Sequence, residues 1–125
     1  MILLIVNDME PTLRFLADKV EWSQYGISEC LLADSAAAAR KFLNQTEVDI
    51  ILCDIQMPDE TGLEFIRWTV ENGYNCDCIF LTCYPSFDYA QEAIQLGCRN
   101  YIVFPSPPQK IGEAVFQVAQ RRKEQ

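Results

Sequence analysis

The stretch DIILCDIQMPDETGLEF, residues 49–65, places Asp54 at the end of an apolar run and follows it with Pro58 and Gly62, both turn residues. A short apolar run bounded in this way reads as a strand buried on both faces. A strand that ends in a charge and then turns sharply makes that charge the candidate working part of the chain.

Working outward, four more runs read as strands: ILLIV (2–6), ISECLLA (27–33), CIFLTC (78–83) and NYIVF (100–104), with the quoted stretch supplying VDIILCD (48–54); three of the five are nearly continuous in apolar residues, as strands buried on both faces are. Amphipathic stretches separate them. Pro11 sits where a first-turn proline is tolerated, ahead of a stripe of Leu13, Leu16, Ala17 and Val20. DSAAAARKFLNQ offers Asp34 or Ser35 as an N-cap before strong helix formers. GLEFIRWTVEN presents Leu63, Ile66 and Val70 on one side. SFDYAQEAIQLG has Ser86 as a cap, an Ala90, Ala93 and Ile94 stripe, and Gly97 as its stop. The last helix, from Pro108 to about Arg122, aligns Ile111, Val115 and Val118. Strand–helix alternation five times over predicts an α/β fold, (βα)5, with an open parallel five-stranded sheet and helices on both faces. The functional crevice of such a sheet lies at the carboxyl ends of its strands. Those ends carry Asn7 and Asp8, then Asp54, then Thr82, then Phe104 and Pro105.

The bulk numbers narrow the classes. At 125 residues, 50% apolar and 22% charged, the chain has the size and composition of one globular domain, expected to span 1–125. A net charge of −8 argues against this domain binding nucleic acid by itself, and the basic run Arg121, Arg122 and Lys123 is too short to reverse that. No apolar run approaches the roughly eighteen residues of a membrane span. The start MILLIVNDME lacks the positive segment and cleavage site of a signal peptide, so a cytoplasmic location is expected. The tail QVAQRRKEQ, ending a helix, suits a lead toward an output domain outside this chain, although a stand-alone domain would end similarly. The six cysteines are expected to be free thiols; Cys53 lies in an apolar run, and Cys76 and Cys78 alternate as same-face strand residues instead of forming a CxxC motif. The absence of histidine removes Ser-His and Cys-His catalysis and histidine-containing metal sites.

Asp8 and Asp54, on neighbouring strand ends, would converge within a few ångströms. Like charges at that range repel unless a cation lies between them, and an all-oxygen donor set suits Mg²⁺ better than zinc. An aspartate beside Mg²⁺ can act as a nucleophile toward phosphorus, with Thr82 placed to hydrogen-bond the phosphoryl oxygens.

With these residues in view, DIQMPDETGLEF resembles the signature around the phospho-accepting aspartate of response regulator receiver domains in two-component systems, whose fold is flavodoxin-like. The resemblance covers essentially the whole chain. It implies that Asp54 accepts a phosphoryl group from a sensor histidine kinase, a phosphorelay step that switches a transcriptional output. It also implies that Mg²⁺ is held by Asp8, Asp54 and the backbone carbonyl of Gln56. Thr82 takes the place of the switch Ser/Thr, Tyr101 of the switch aromatic that turns inward, and Pro105 of the proline in a Lys-Pro pair. The surface of the fourth helix, fifth strand and fifth helix would then change and support a homodimer. CYPSFDYAQEAIQLG, with Trp22 and Gly26, is similar to receivers that precede AraC-type DNA-binding domains.

Two positions depart from that pattern. An acidic pair is expected after the first strand, and Asn7-Asp8 supplies one carboxylate; Glu10 is a candidate to compensate, and weaker Mg²⁺ binding is expected. Phe104 stands where the family carries the lysine that pairs with the phosphoryl group. These departures leave a second reading open, a pseudo-receiver that acts as a phosphate-independent interaction or dimerisation module. A flavodoxin-like electron carrier would need a Gly- and Ser/Thr-rich phosphate loop after the first strand, where NDMEPTL is acidic and free of glycine.

Overall fold

The computed structural model describes residues 1–124. Its strands are β1 (Ile2–Val6), β2 (Glu29–Ala33), β3 (Ile50–Asp54), β4 (Asp77–Thr82) and β5 (Asn100–Val103). The helices between and after them are α1 (Glu10–Lys19), α2 (Ala36–Gln45), α3 (Gly62–Glu71), α4 (Phe87–Gln95) and α5 (Pro108–Lys123). All four strand pairings are parallel, in the order β2-β1-β3-β4-β5. This is the expected (βα)5 architecture.

Alternation along each central strand divides the core into two layers. Leu4, Val6, Ile51, Cys53, Cys78 and Phe80 face α2, α3 and α4, where Ala39, Leu43, Leu63, Phe65, Ile66 and Ala93 meet them. Leu3, Ile5, Ile50, Leu52, Ile79 and Leu81 face α1 and α5, against Leu13, Leu16, Ile111, Val115 and Val118. β1, β3 and β4 are therefore covered on both sides, which is why their sequences are nearly continuous in apolar residues.

Helix starts follow local chemistry. The Ser35 hydroxyl accepts from the Ala38 amide, and the Ser86 hydroxyl from the Tyr89 amide. Of the two candidates at the start of α2, Ser35 is the cap and Asp34 precedes it. Thr61 and Glu64 form a reciprocal capping box at α3. Gly97, at φ 80°, stops α4 in the left-handed region.

Three expectations change. Val70 and Ile94, placed by periodicity on the core stripes of α3 and α4, are 56% and 71% exposed. Phe65, Ile66 and Thr69 set the buried face of α3, and α4 buries only Ala93, because it caps the thin edge of the sheet beside β5. Gly62 is the first residue of α3 and not part of the turn; the left-handed turn residue is Asp59, at φ 69°. A short 3₁₀ turn at Trp22–Tyr25 also precedes β2, anchored by the Trp22 indole donating to the Leu16 carbonyl at 2.9 Å.

Candidate functional site

In chain order the sheet runs from β1 out to β2, then back past β1 to β3. The direction of winding reverses between β1 and β3, and the crevice opens at their carboxyl ends. Val6 pairs with Cys53, so Asn7 and Asp8 leave β1 beside Asp54, the last residue of β3. Topology, more than any local motif, brings the two aspartates together.

Asp54 is 9% exposed. Burial, followed by the negative charge of Asp8, pushes its carboxyl up to about 6, while the backbone amides of Gln56 and Ile55 pull in the opposite direction. One Asp8 oxygen, Oδ1, is buried without a hydrogen-bond partner. A repelled carboxylate pair and an orphaned buried oxygen are what a small hard cation would relieve, so the donors present fit Mg²⁺. Among the described residues no cluster of three or more His, Cys, Asp or Glu side chains could hold a metal, so any further ligands are carbonyls or water.

The other positions divide. The Asn7 side chain is buried and its oxygen accepts from the Met9 amide at 2.9 Å, so it shapes the turn after β1. Glu10, the exposed first residue of α1, is held in an ion pair with Arg14 at 2.9 Å. Thr82 is fully buried at the end of β4, and its hydroxyl accepts from the Tyr84 amide at 3.1 Å. Gln56 follows Asp54 into the loop, and its side-chain amide donates to the Tyr89 hydroxyl on α4 at 3.0 Å.

Tyr101 sits beside Phe80 in the ladder and packs on the α2–α4 side, with its hydroxyl buried and unpartnered. Its ring is therefore already directed inward. Phe104 follows β5 through a cis peptide to Pro105 and packs edge-on against Phe15 of α1, with centroids 5.5 Å apart. An aromatic contact between α1 and β5 stands where the resemblance implies a cation.

Sequence reasoning passed over several neighbours. Arg40 reaches from α2 to both carboxylate oxygens of Glu60, in the loop after Asp54, with one bond at 2.8 Å. Glu60 lies inside the stretch that first drew attention, but nothing local pairs it with a residue of another helix. Gly62 has a packing role: a Cβ there would overlap the Asp54 carbonyl oxygen. All six cysteines are free thiols, and exposed Cys83 lies close enough to Asp54 for its thiol to be raised by burial and then by that charge.

Residues 3–116 match the family model described as "Response regulator receiver domain". The transcriptional regulatory protein DpiA of Escherichia coli (strain K12) is 28% identical over 120 residues, covering 96% of this chain and 53% of that protein. The chain thus spans about half the length of such curated relatives. Among solved structures, the REC domain of AraT, a response regulator from Geobacillus stearothermophilus, superposes with a TM-score of 0.84 at 30% identity, covering 98% of this chain and 95% of that one. A CheY-like receiver domain protein from Methanospirillum hungatei JF-1 shares the fold with a TM-score of 0.87 at 23% identity, over 99% of this chain and 98% of that one.

Proposed function

The chain belongs to the response regulator receiver domain family, and from that premise we propose that it accepts a phosphoryl group on Asp54 from a sensor histidine kinase and passes the change to a transcriptional output. The observation that carries this reading is the pairing of buried Asp54 with half-buried Asp8 at the topological switch point, one Asp8 oxygen being buried and unpartnered.

Receiver domains generally bind Mg²⁺ at their acidic site. Here Asp8, Asp54 and the Gln56 carbonyl are the proposed ligands. Bound Mg²⁺ would supply charge neutralisation for the transferring group. One Asp54 oxygen attacks phosphorus as the N–P bond of a donor phosphohistidine breaks, and the imidazole leaves with the bonding pair and takes a proton. The product is an acyl phosphate on Asp54. Thr82 can donate its hydroxyl proton to a phosphoryl oxygen while still accepting from the Tyr84 amide, which links the new group to the β4–α4 loop. Tyr101 lies inward already, so the inward turn that the resemblance implies is not required of it. Phe104 offers no charge, so the response rests on Thr82 and the acceptor loop, and the active state is expected to be less favoured than where a lysine completes the site.

The surface that would respond includes Phe87 and Ile94 on α4 and Val103 on the edge strand β5, all exposed. Exposed apolar side chains on both elements support homodimerisation across the α4–β5–α5 face. An output domain of the AraC type is proposed from the CYPSFDYAQEAIQLG stretch with Trp22 and Gly26. No helix among the described residues is long and apolar enough to cross a membrane.

Intact-mass spectrometry after incubation with acetyl phosphate and Mg²⁺ tests the proposal, with Asp54→Asn as control. A single phosphoryl adduct absent from the control is expected. No adduct at any Mg²⁺ concentration would overturn it in favour of a phosphate-independent interaction module.

A further inference from the structure

The loop joining Asp54 to α3, residues 55–61, is closed on itself. The Gly62 amide donates to the Ile55 carbonyl at 2.8 Å, drawing the two ends together. Within it, Asp59 is left-handed at φ 69° and the Glu60 amide donates to the Pro58 carbonyl at 2.7 Å. Gly62 is pressed against the Asp54 carbonyl so closely that a Cβ would overlap it. A loop with this little slack passes displacement at one residue to its neighbours.

One side chain grips this loop from outside. Arg40 of α2 forks onto Glu60, and the two side chains are 28% and 27% exposed. Its guanidinium also lies over the Trp68 ring, 4.8 Å from the centroid, and 5.6 Å from that of Phe65. A planar group held by a carboxylate fork and by two rings is fixed in orientation as a lysine ammonium would not be.

We propose that Arg40 is a positioning residue for phosphoryl acceptance: by holding Glu60 it fixes the backbone of residues 55–61, the Gln56 carbonyl included. The inference rests on the reading of Asp54 as acceptor. It follows from the closed loop and from the fork that grips it. Without Arg40 the loop would lose its only side-chain tie to α2 among those described.

The test uses the full chain with Arg40→Gln and Arg40→Lys. Amide exchange across residues 55–61 is read without metal, Mg²⁺ affinity by calorimetric titration, and adduct formation from acetyl phosphate at saturating Mg²⁺. Arg40→Gln is expected to speed loop exchange and weaken Mg²⁺ binding by about tenfold, the scale of one charge-assisted hydrogen bond. The adduct rate at saturating Mg²⁺ should stay within about twofold of wild type by the same reasoning, since no reacting group is removed. Arg40→Lys, which keeps charge without the fork, should fall between. Loop exchange and Mg²⁺ affinity unchanged in both variants, with only a lowered Tm, would reduce Arg40 to a structural tie and overturn the proposal. A wild-type chain that neither binds Mg²⁺ nor takes the adduct would overturn the parent reading and this one with it. A wild type that does both while the variants match it would overturn Arg40's role alone.

Discussion

At Asp54 two demands conflict. A nucleophilic carboxylate has to be ionised, yet burial and Asp8 hold its carboxyl up at about 6. The unfolded value is near the ordinary one, about 3.9. Between those two values the folded chain binds more protons than the unfolded one, so stability falls as pH rises through that window and stays lower above it. Asp54→Asn removes this dependence. It is expected to stabilise the metal-free protein by about 2–3 kcal/mol at pH 7.5, with the gain vanishing near pH 4, as read by urea denaturation at both pH values. Phe104 settles a related balance in favour of packing. Phe104→Lys gives up the aromatic contact with Phe15, costing about 1 kcal/mol beyond lost burial, and brings an ammonium toward the crevice. The pH midpoint for adduct formation should then move below that of wild type, a shift that a pH–rate series would resolve.

Among the elements, α3 has the most constrained start. Gly62 opens the helix directly against the Asp54 carbonyl, and that oxygen is backbone, so it cannot swing aside. Gly62→Ala is expected to cost about 3 kcal/mol or more and to displace the acceptor loop, measurable by chemical denaturation and by loss of Mg²⁺ affinity. Helix starts were legible in the sequence where a hydroxyl preceded good helix formers, as at Ser35 and Ser86. Helix faces were less so. Val70 and Ile94 fit the apolar period but lie exposed, because periodicity ranks positions around a helix and cannot say how wide the covering surface is. The inward placement of Tyr101 was equally hidden, since it depends on the β4–β5 register that sets it beside Phe80.

For the whole molecule, exposed large apolar residues are scattered over several elements, and Phe87, Ile94 and Val103 belong to α4 and the edge strand β5. Phe87 and Ile94 lie two turns apart on α4, and Val103 is exposed on β5, which has a partner on one side only. An edge strand beside an apolar helix face favours self-association. If that surface pairs two copies, Phe87→Glu with Ile94→Glu should abolish any dimer seen by sedimentation after phosphorylation, while leaving the adduct at Asp54 intact. A dimer that survives both changes would place the interface elsewhere.

The sequence alone determined the order and kind of the main elements, the parallel sheet, and the positions of Asp8, Asp54 and Thr82 at strand ends. Those properties are local: they follow from apolar run lengths, caps and turn residues, each written in a few consecutive positions. The tertiary structure decided how the site is built. Asp8 lies next to Asp54 because β1 and β3 are neighbours across the point where winding reverses. Glu60 is gripped by Arg40 from α2, and Phe104 rests on Phe15 from α1, across distances along the chain that no periodicity encodes. The shift of the Asp54 carboxyl is likewise a product of burial and of a charge on another strand. Run length and spacing fix what each segment becomes, whereas charge, burial and contact depend on which segments the fold sets side by side.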